Sequence, residues 1–259
     1  MSAHGYLEQK FGLRRKVALV TGSSQGLGHA MARALASAGA DVIVNGRDAT
    51  KLAPVVAELS ALGVRAHAIA ADLGDRAAVQ RLVAEAIGWQ GHLDILVNNA
   101  GIIRRTPAAE HTDADWDLVL RVNLDGVFTA CRTAGTHMLA RGSGKIINVA
   151  SLLTFFGGIT VPGYAASKGA VGQLTKALSN EWAGRGVNVN AIAPGYMRTA
   201  NTAALQADAV RSKEILSRIP ANRWGEPGDL EGAVVFLASA ASDYLSGHIM
   251  AVDGGWCGR

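Results

Sequence analysis

A single-domain α/β fold, with a doubly wound parallel sheet and helices on both faces, is what this chain predicts from three observations. First, short apolar runs alternate with longer stretches of helical rhythm along nearly all 259 residues. Strands parted by helices of that length pair in parallel through right-handed crossovers. Second, hydrophobic residues make up 49% of the chain and aromatics only 5%, so the core is aliphatic, as strands buried on both faces require. Third, 31 glycines stand against 6 prolines with no break in composition, which provides tight turns but no interdomain linker. One domain over residues 1–259 follows.

Residues 16–22 (KVALVTG) are an apolar run that stops at a glycine turn, the mark of a buried strand. The apolar spacing of 26–40 is helical, and Gly39 closes it. Strand 41–46, a helix over about 48–62 and strand 64–72 repeat the unit. A helix at 75–89 leads to strand 93–101, which ends in the turn Asn98-Asn99-Ala100-Gly101. One long helix is predicted over about 113–140, then strand 144–151 and a helix over 162–183. Strand 187–195 opens into an irregular stretch to about 226. Helix 228–240 and a short strand at 247–255 finish the chain.

Composition also limits the partners. The formal charge is +4 and the isoelectric point about 9.3. The basic residues are scattered, clustering only at Arg14-Arg15-Lys16 and Arg104-Arg105, so a solvated surface is expected rather than a nucleic-acid interface. Cys131 and Cys257 show no metal-ligand spacing, and no metal site is expected. Without a disulfide pattern, a reducing cytoplasmic compartment is the simpler expectation. The N-terminus has no apolar signal core and no stretch is long enough to span a bilayer, so no membrane partner is expected.

Tyr164 and Lys168 carry the most chemistry. Their spacing of four places both side chains on one face of the helix predicted at 162–183. A phenol of ordinary pKa, about 10, is a poor acid–base catalyst near neutrality. A neighbouring cation favours the phenolate and moves the group into a useful range. Such a pair also arises on any amphipathic helix, so its weight comes from its company: a glycine-rich turn at 21–28, the Asn-Asn-Ala-Gly turn, Asn123 and Ser151. Each alone has an ordinary reading, Ser151 as a turn cap, Asn123 as a satisfied turn residue and Lys168 as surface charge.

The turn Thr21-Gly22-Ser23-Ser24-Gln25-Gly26-Leu27-Gly28 joins the first strand to the first helix. A pyrophosphate meets backbone N–H groups and a helix N-terminus in that setting. Gly22 permits the sharp turn, Gly26 lets the backbone approach phosphate, and Gly28 allows close helix–strand packing.

These motifs, in this order and at these separations, resemble the short-chain dehydrogenase/reductase family over nearly the whole chain. The resemblance implies a Rossmann-like fold, a homotetramer and hydride transfer with a nicotinamide cofactor. It implies that Tyr164 is the acid–base group, that Lys168 lowers its pKa and binds the nicotinamide ribose, and that Ser151 hydrogen-bonds the substrate oxygen. Asn123 would hold a water linking Lys168 to solvent. The implied cofactor contacts include Ser24, Gln25 and Leu27 of the first turn, with Asp72 and Leu73 beside adenine. Asn99, Ala100 and Gly101 would lie along the ribose, and Pro194, Gly195 and Thr199 by the carboxamide.

NAD or NADP is decided at the end of the second strand, Asn45-Gly46-Arg47-Asp48. Gly46 stands where NAD-binding members place Asp, and Arg47 suits a 2′-phosphate, which tilts the reading toward NADP. Against it, Gln25 stands where many NADP-binding relatives have Arg, and Asp48 is free to turn toward the ribose. Segments such as GGITVPGYAASKGAV and APGYMRTANT resemble the sugar-acid branch, which implies a secondary hydroxyl of a C6 aldonic acid, at C3 of a 2-deoxygluconate or C5 of a gluconate. Arg105, then Arg104, would orient its carboxylate, a solvated loop pair being the ordinary alternative. Residues 196–224 would form the lid, with Ala203, Leu205, Val210, Ile215 and Leu216 as its apolar face. A ketoacyl-thioester reductase shares the same catalytic residues, and a non-catalytic dinucleotide-binding module is the alternative from another class.

Overall fold

Val17–Val20 (β1), Asp41–Gly46 (β2), Ala66–Ala70 (β3), Ile95–Asn98 (β4), Gly144–Val149 (β5), Val187–Pro194 (β6) and Ile249–Val252 (β7) form one sheet in the computed structural model. The structure describes residues 2–259; Met1, counted in the expected span 1–259, lies outside them. The order is β3-β2-β1-β4-β5-β6-β7, every pairing is parallel, and the arrangement is the Rossmann-like one expected. Ala18 pairs with Val42 on one side and with Ile95 on the other. The chain therefore leaves β1 in two directions, which opens a crevice beyond the carboxyl ends of β1 and β4.

Alternation along the strands builds two cores. Ala18 and Val20 face the helices Gly26–Ser37 (α2) and Ala49–Ser60 (α3), where Met31, Leu35, Leu52 and Leu59 are buried. Val17 and Leu19 face the opposite layer, with Val79, Leu82 and Val83 from Arg76–Gln90 (α4). Being buried on both faces, β1 reads as a continuous apolar run, which is why it was visible in the sequence.

The helix expected over 113–140 is two helices joined by a π turn. Asp113–Leu120 (α5) starts at a Thr112 cap, Arg121–Asp125 makes the wider turn, and Gly126–Arg141 (α6) continues. Pro162–Trp182 (α7) carries Tyr164 and Lys168. The stretch after β6 contains two short helices, Ala203–Ala207 (α8) and Ala209–Arg218 (α9), and Glu231–Ala238 (α10) completes the face covered by α2 and α3. A helix at Ala3–Phe11, capped where the Ser2 hydroxyl accepts the Gly5 N–H at 3.1 Å, was not anticipated. Its Tyr6, Leu7 and Phe11 are exposed, so it shows no buried apolar stripe in the sequence. Among the described residues no helix is long and apolar enough to cross a membrane.

Candidate active site

The first turn is held by side chains from two other strand ends. The Thr21 hydroxyl accepts the N–H groups of Asn99 and Ala100 at 3.0 and 3.1 Å. The Asn99 amide donates to the carbonyls of Thr21 and Gly22 at 2.9 and 3.0 Å. From β2, the Asn45 side-chain oxygen accepts the Gly22 N–H at 3.4 Å. Gly22 and Gly26 have φ of +62° and +61°, where only glycine rests without strain.

The three glycines divide their roles by space. A Cβ at Gly28 would lie 2.4 Å from both the Gly22 carbonyl oxygen and the Asn99 amide nitrogen, so α2 packs directly on the turn. A Cβ at Gly26 would meet only the Thr199 methyl, at 3.9 Å, because it would project into the cleft. The α2 N-terminus has no side-chain cap, which leaves its first N–H groups to the cleft. This cradle fits a pyrophosphate, an anion that needs bare backbone and unpaired donors.

The cleft holds about 490 Å³ and lies beyond the carboxyl ends of the central strands. Every residue expected to touch a dinucleotide lines it, from Gly22 and Ser24 on the first turn to Pro194, Gly195 and Thr199 after β6. Asp72 and Leu73 close one wall, and the Asp72 carboxylate also accepts the Gly74 N–H at 2.9 Å. Arg47 lines the rim and makes no ion pair among the described residues. Asp48 does not turn toward the cleft. Its carboxylate caps α3, accepting the Thr50 N–H at 3.0 Å and the Thr50 hydroxyl at 2.6 Å.

Ser151, Tyr164 and Lys168 meet on the floor of the cleft. Lys168 is 3% exposed, its ammonium donates to the Val149 carbonyl, and Nζ lies 5.7 Å from the Tyr164 ring centroid. The electrostatics differ from the expectation. Burial pushes the Tyr164 phenol above its ordinary range, opposed by a hydrogen bond with Ser151 and by the Arg105 charge rather than by Lys168. Lys168 is itself pushed down to about 8 by burial. At about 8 the ammonium is still mostly charged at neutrality, though a less permanent charge than the spacing suggested. Ser151 lines the cleft and also caps a short turn, its hydroxyl accepting the Leu153 N–H at 3.2 Å.

Three expected residues do not line the cleft. Asn123, in the π turn, is fully buried and holds the chain after Gly101. Its oxygen accepts the Ile102 N–H at 2.8 Å, and its amide donates to the Ile102 carbonyl at 2.9 Å and to Ser167 at 3.2 Å. Both amide protons are thereby committed, so the side chain has none left to donate to a water. Arg104 is neutralised by Asp115 at 3.1 Å and does not line the cleft. Arg105 points toward the segment after β6, donating to the Asn201 carbonyl at 3.1 Å.

Other lining residues were missed. Met197, Asn201 and Thr202 belong to the segment expected to be a lid and line the cleft. Its apolar face is only partly as expected: Ile215 is buried and Leu205 and Leu216 are half-buried, but Val210 is 72% exposed and Ala203 is exposed. Thr154, which links Ser151 to α7, had no signal beyond lying three residues after Ser151. Cys131 sits in a buried polar group, accepting from Asn98 at 3.2 Å, and burial pushes its thiol up to about 12.

A family model for short chain dehydrogenases matches residues 16–210. A 2-dehydro-3-deoxy-D-gluconate 5-dehydrogenase of Pseudoalteromonas atlantica is 56% identical over 252 residues, covering 97% of this chain and 99% of that protein. A protein of the same name from Escherichia coli is 51% identical over 250 residues, covering 96% and 98%. The crystal structure of a gluconate 5-dehydrogenase from Burkholderia cenocepacia, in complex with NADP and tartrate, superposes with a TM-score of 0.94 at 43% identity, covering 97% of this chain and 98% of that one.

Proposed function

This chain belongs to the short-chain dehydrogenase family, nicotinamide-dependent oxidoreductases of CH–OH groups, and from that premise we propose that it interconverts a secondary alcohol and ketone on a C6 sugar acid. The favoured substrate is 2-dehydro-3-deoxy-D-gluconate, reacting at C5; the relatives named above favour C5 over the C3 position weighed from sequence. D-gluconate at C5 is the second reading, favoured by the similarity to the gluconate 5-dehydrogenase. The observation that carries the proposal is the meeting of Ser151, Tyr164 and Lys168 on the floor of a glycine-turn cleft with Arg105 close enough to bear on the phenol.

When bound, the dinucleotide supplies the hydride acceptor or donor. The α2 N-terminus and the bare backbone at Gly26 would hold its pyrophosphate. Arg47, without an acidic partner among the described residues, is proposed to pair with a 2′-phosphate, and Asp48 is committed to α3, so NADP is favoured over NAD. Tyr164 would take the carbinol proton in oxidation and return it in reduction. Burial keeps the phenol protonated near neutrality, the form that ketone reduction requires. The Ser151 hydroxyl would hold the substrate oxygen, and Lys168 would hold ribose hydroxyls. Asn123 fixes the Ile102 backbone through its amide, and its oxygen, which accepts only the Ile102 N–H among the described residues, would accept from the water that links Lys168 to solvent. Of the arginine pair, Arg105 is proposed to seat the carboxylate, because its partner is a main-chain carbonyl whereas Arg104 already has Asp115. Residues 196–224 would close over the substrate and exclude water. A cytoplasmic homotetramer completes the proposal, supported by the family resemblance and by two free cysteines.

A substrate panel tests the reading: 2-dehydro-3-deoxy-D-gluconate, 2-deoxy-D-gluconate, D-gluconate and an acetoacetyl thioester, each with both dinucleotides. Turnover of a sugar acid with NADP, and a product ketone located by NMR at C5, is expected. Tyr164→Phe should lower kcat by roughly 10² to 10⁴ with dinucleotide affinity nearly unchanged. Turnover of the thioester alone, or full activity in the Phe variant, would remove the proposal.

A further inference from the structure

The segment after β6 has a small hydrophobic core of its own, separate from the two cores that flank the sheet. Leu152, Ile215, Ile219, Trp224 and Trp256 are buried together, with Tyr196 and Leu216 packed against them. These residues come from places that matter to the cleft. Leu152 follows Ser151, Tyr196 follows Gly195, and Ile215 lies on α9. Trp256 comes from the chain's last turn, far away in sequence.

Trp256 is the centre of this core. Its ring lies 4.9 Å from that of Tyr196, and the Arg218 guanidinium lies 4.2 Å from its ring centre. Tyr196 in turn meets Trp224 edge-on at 5.7 Å. The turn that presents Trp256 is held by several hydrogen bonds. The Asp253 carboxylate accepts the N–H groups of Gly255 and Cys257 at 2.9 and 2.8 Å, and Gly254 and Gly255 have φ of +67° and +92°. It presses closely on the end of α9, since a Cβ at Gly254 would lie 2.8 Å from the Ile219 side chain. Two further bonds tie it down: the Ala221 N–H donates to the Gly254 carbonyl at 2.9 Å, and Arg259 donates to the Ser217 carbonyl at 2.7 Å.

We infer that the C-terminal turn, residues 253–259, is a positioning element for the substrate half of the cleft, with Trp256 fixing α9 and Tyr196 relative to the strand end that bears Ser151. The inference rests on the proposed lid role of residues 196–224. Physically, an indole gripped by an aromatic ring and a guanidinium resists sliding in two directions. Helix α9 has only Ile215 fully buried, so without the indole little apolar area holds it down. The dinucleotide half of the cleft rests on α2, β1 and β2, which make no part of this core. Loss of Trp256 should therefore loosen one half of the site and spare the other.

The test compares Trp256→Ala, Trp256→Phe and Arg218→Ala with the unaltered full chain. Amide hydrogen exchange in α9 should accelerate by about tenfold or more in Trp256→Ala, as loss of a buried aromatic warrants, while amides of α2 keep their rates. At saturating NADP, kcat/KM for the sugar acid should fall by about tenfold or more, mostly through KM, with NADP affinity within about twofold. Trp256→Phe should restore most of both losses, and Arg218→Ala should show a smaller loss of the same kind. Unchanged exchange in α9, or equal losses in NADP affinity and substrate KM, overturns the inference. The exchange measurement needs no turnover, so a failure of the sugar-acid reading leaves it decisive.

Discussion

The Thr154 hydroxyl donates to the main-chain carbonyl of Lys168 at 2.9 Å and accepts the Ser151 N–H at 3.3 Å. One side chain thus ties the strand end bearing Ser151 to the helix turn bearing Lys168. Its methyl group faces Gly172, where a Cβ would lie only 2.5 Å away. Thr154→Val keeps the shape and removes both bonds, so kcat/KM should fall by about five- to tenfold, the worth of one or two neutral hydrogen bonds. Thr154→Ser should stay within about threefold of the parent, because the bonds survive. Equal losses in the two variants would mean that packing, not the hydroxyl, is what matters.

Gly26 and Gly28 are two residues apart and should fail in different ways. Gly28→Ala forces a methyl against the Gly22 carbonyl and the Asn99 amide, so calorimetry should show a Tm lower by several degrees, about what 1–3 kcal/mol of overpacking gives. Gly26→Ala meets no protein atom closer than 3.9 Å. Its left-handed backbone costs about 1 kcal/mol, while its methyl stands where a pyrophosphate would rest. Titration should therefore find dinucleotide binding weakened by more than tenfold at nearly native Tm, a contrast that disappears if the cleft binds its ligand elsewhere.

Arg47 is proposed to choose the dinucleotide. Arg47→Asp replaces a donor fork with a carboxylate able to bind ribose hydroxyls and repel a 2′-phosphate. NADP affinity should drop by roughly ten- to a hundredfold, the worth of a charge-assisted hydrogen bond, while NAD affinity holds or rises. Side-by-side titrations with the two dinucleotides decide this, and parallel changes in both would remove Arg47 from that role.

Lys168 has a stability cost with a definite sign. Its ammonium is pushed from the ordinary 10.5 down to about 8 by burial. The unfolded chain therefore holds this proton more tightly than the folded one. Stability from this group is complete above pH 10.5 and is lost as pH falls toward and through about 8. Lys168→Met should consequently be inactive yet melt higher at pH 7, by an amount of order 3 kcal/mol at most. The gain should shrink between pH 8 and 10.5, and a Met variant that melts lower at pH 7 would contradict this.

Strands such as β1 and β4 were legible because burial on both faces writes an unbroken apolar run into the sequence, and the glycine turn because its spacing follows from backbone geometry. The π turn was not, since a change in hydrogen-bond phase over Arg121–Asp125 leaves the apolar rhythm on either side intact. The first helix, Ala3–Phe11, was invisible because its large apolar side chains face solvent. Side-chain direction was the other blind spot. Arg104 and Arg105 are neighbours in sequence, yet one goes to Asp115 and the other to Asn201. The spacing of Tyr164 and Lys168 put them in one cleft but said nothing of how burial would lower the pKa of the lysine. Trp256 gave no signal because its partners, Tyr196 and Arg218, are distant along the chain.

The wide turn at Arg121–Asp125 makes the residue count there intolerant of change. Shortening it by a single residue would rewind the segment into regular helix and swing everything on one side by about 100°. Either the amide of Asn123 would lose its grip on Ile102, or the face carrying Val127 and Cys131 would leave the interior. Surface connections such as 61–65 face no such demand. Length variation in this protein should be absorbed at those outer loops and excluded from the middle of the helix that runs behind the cleft.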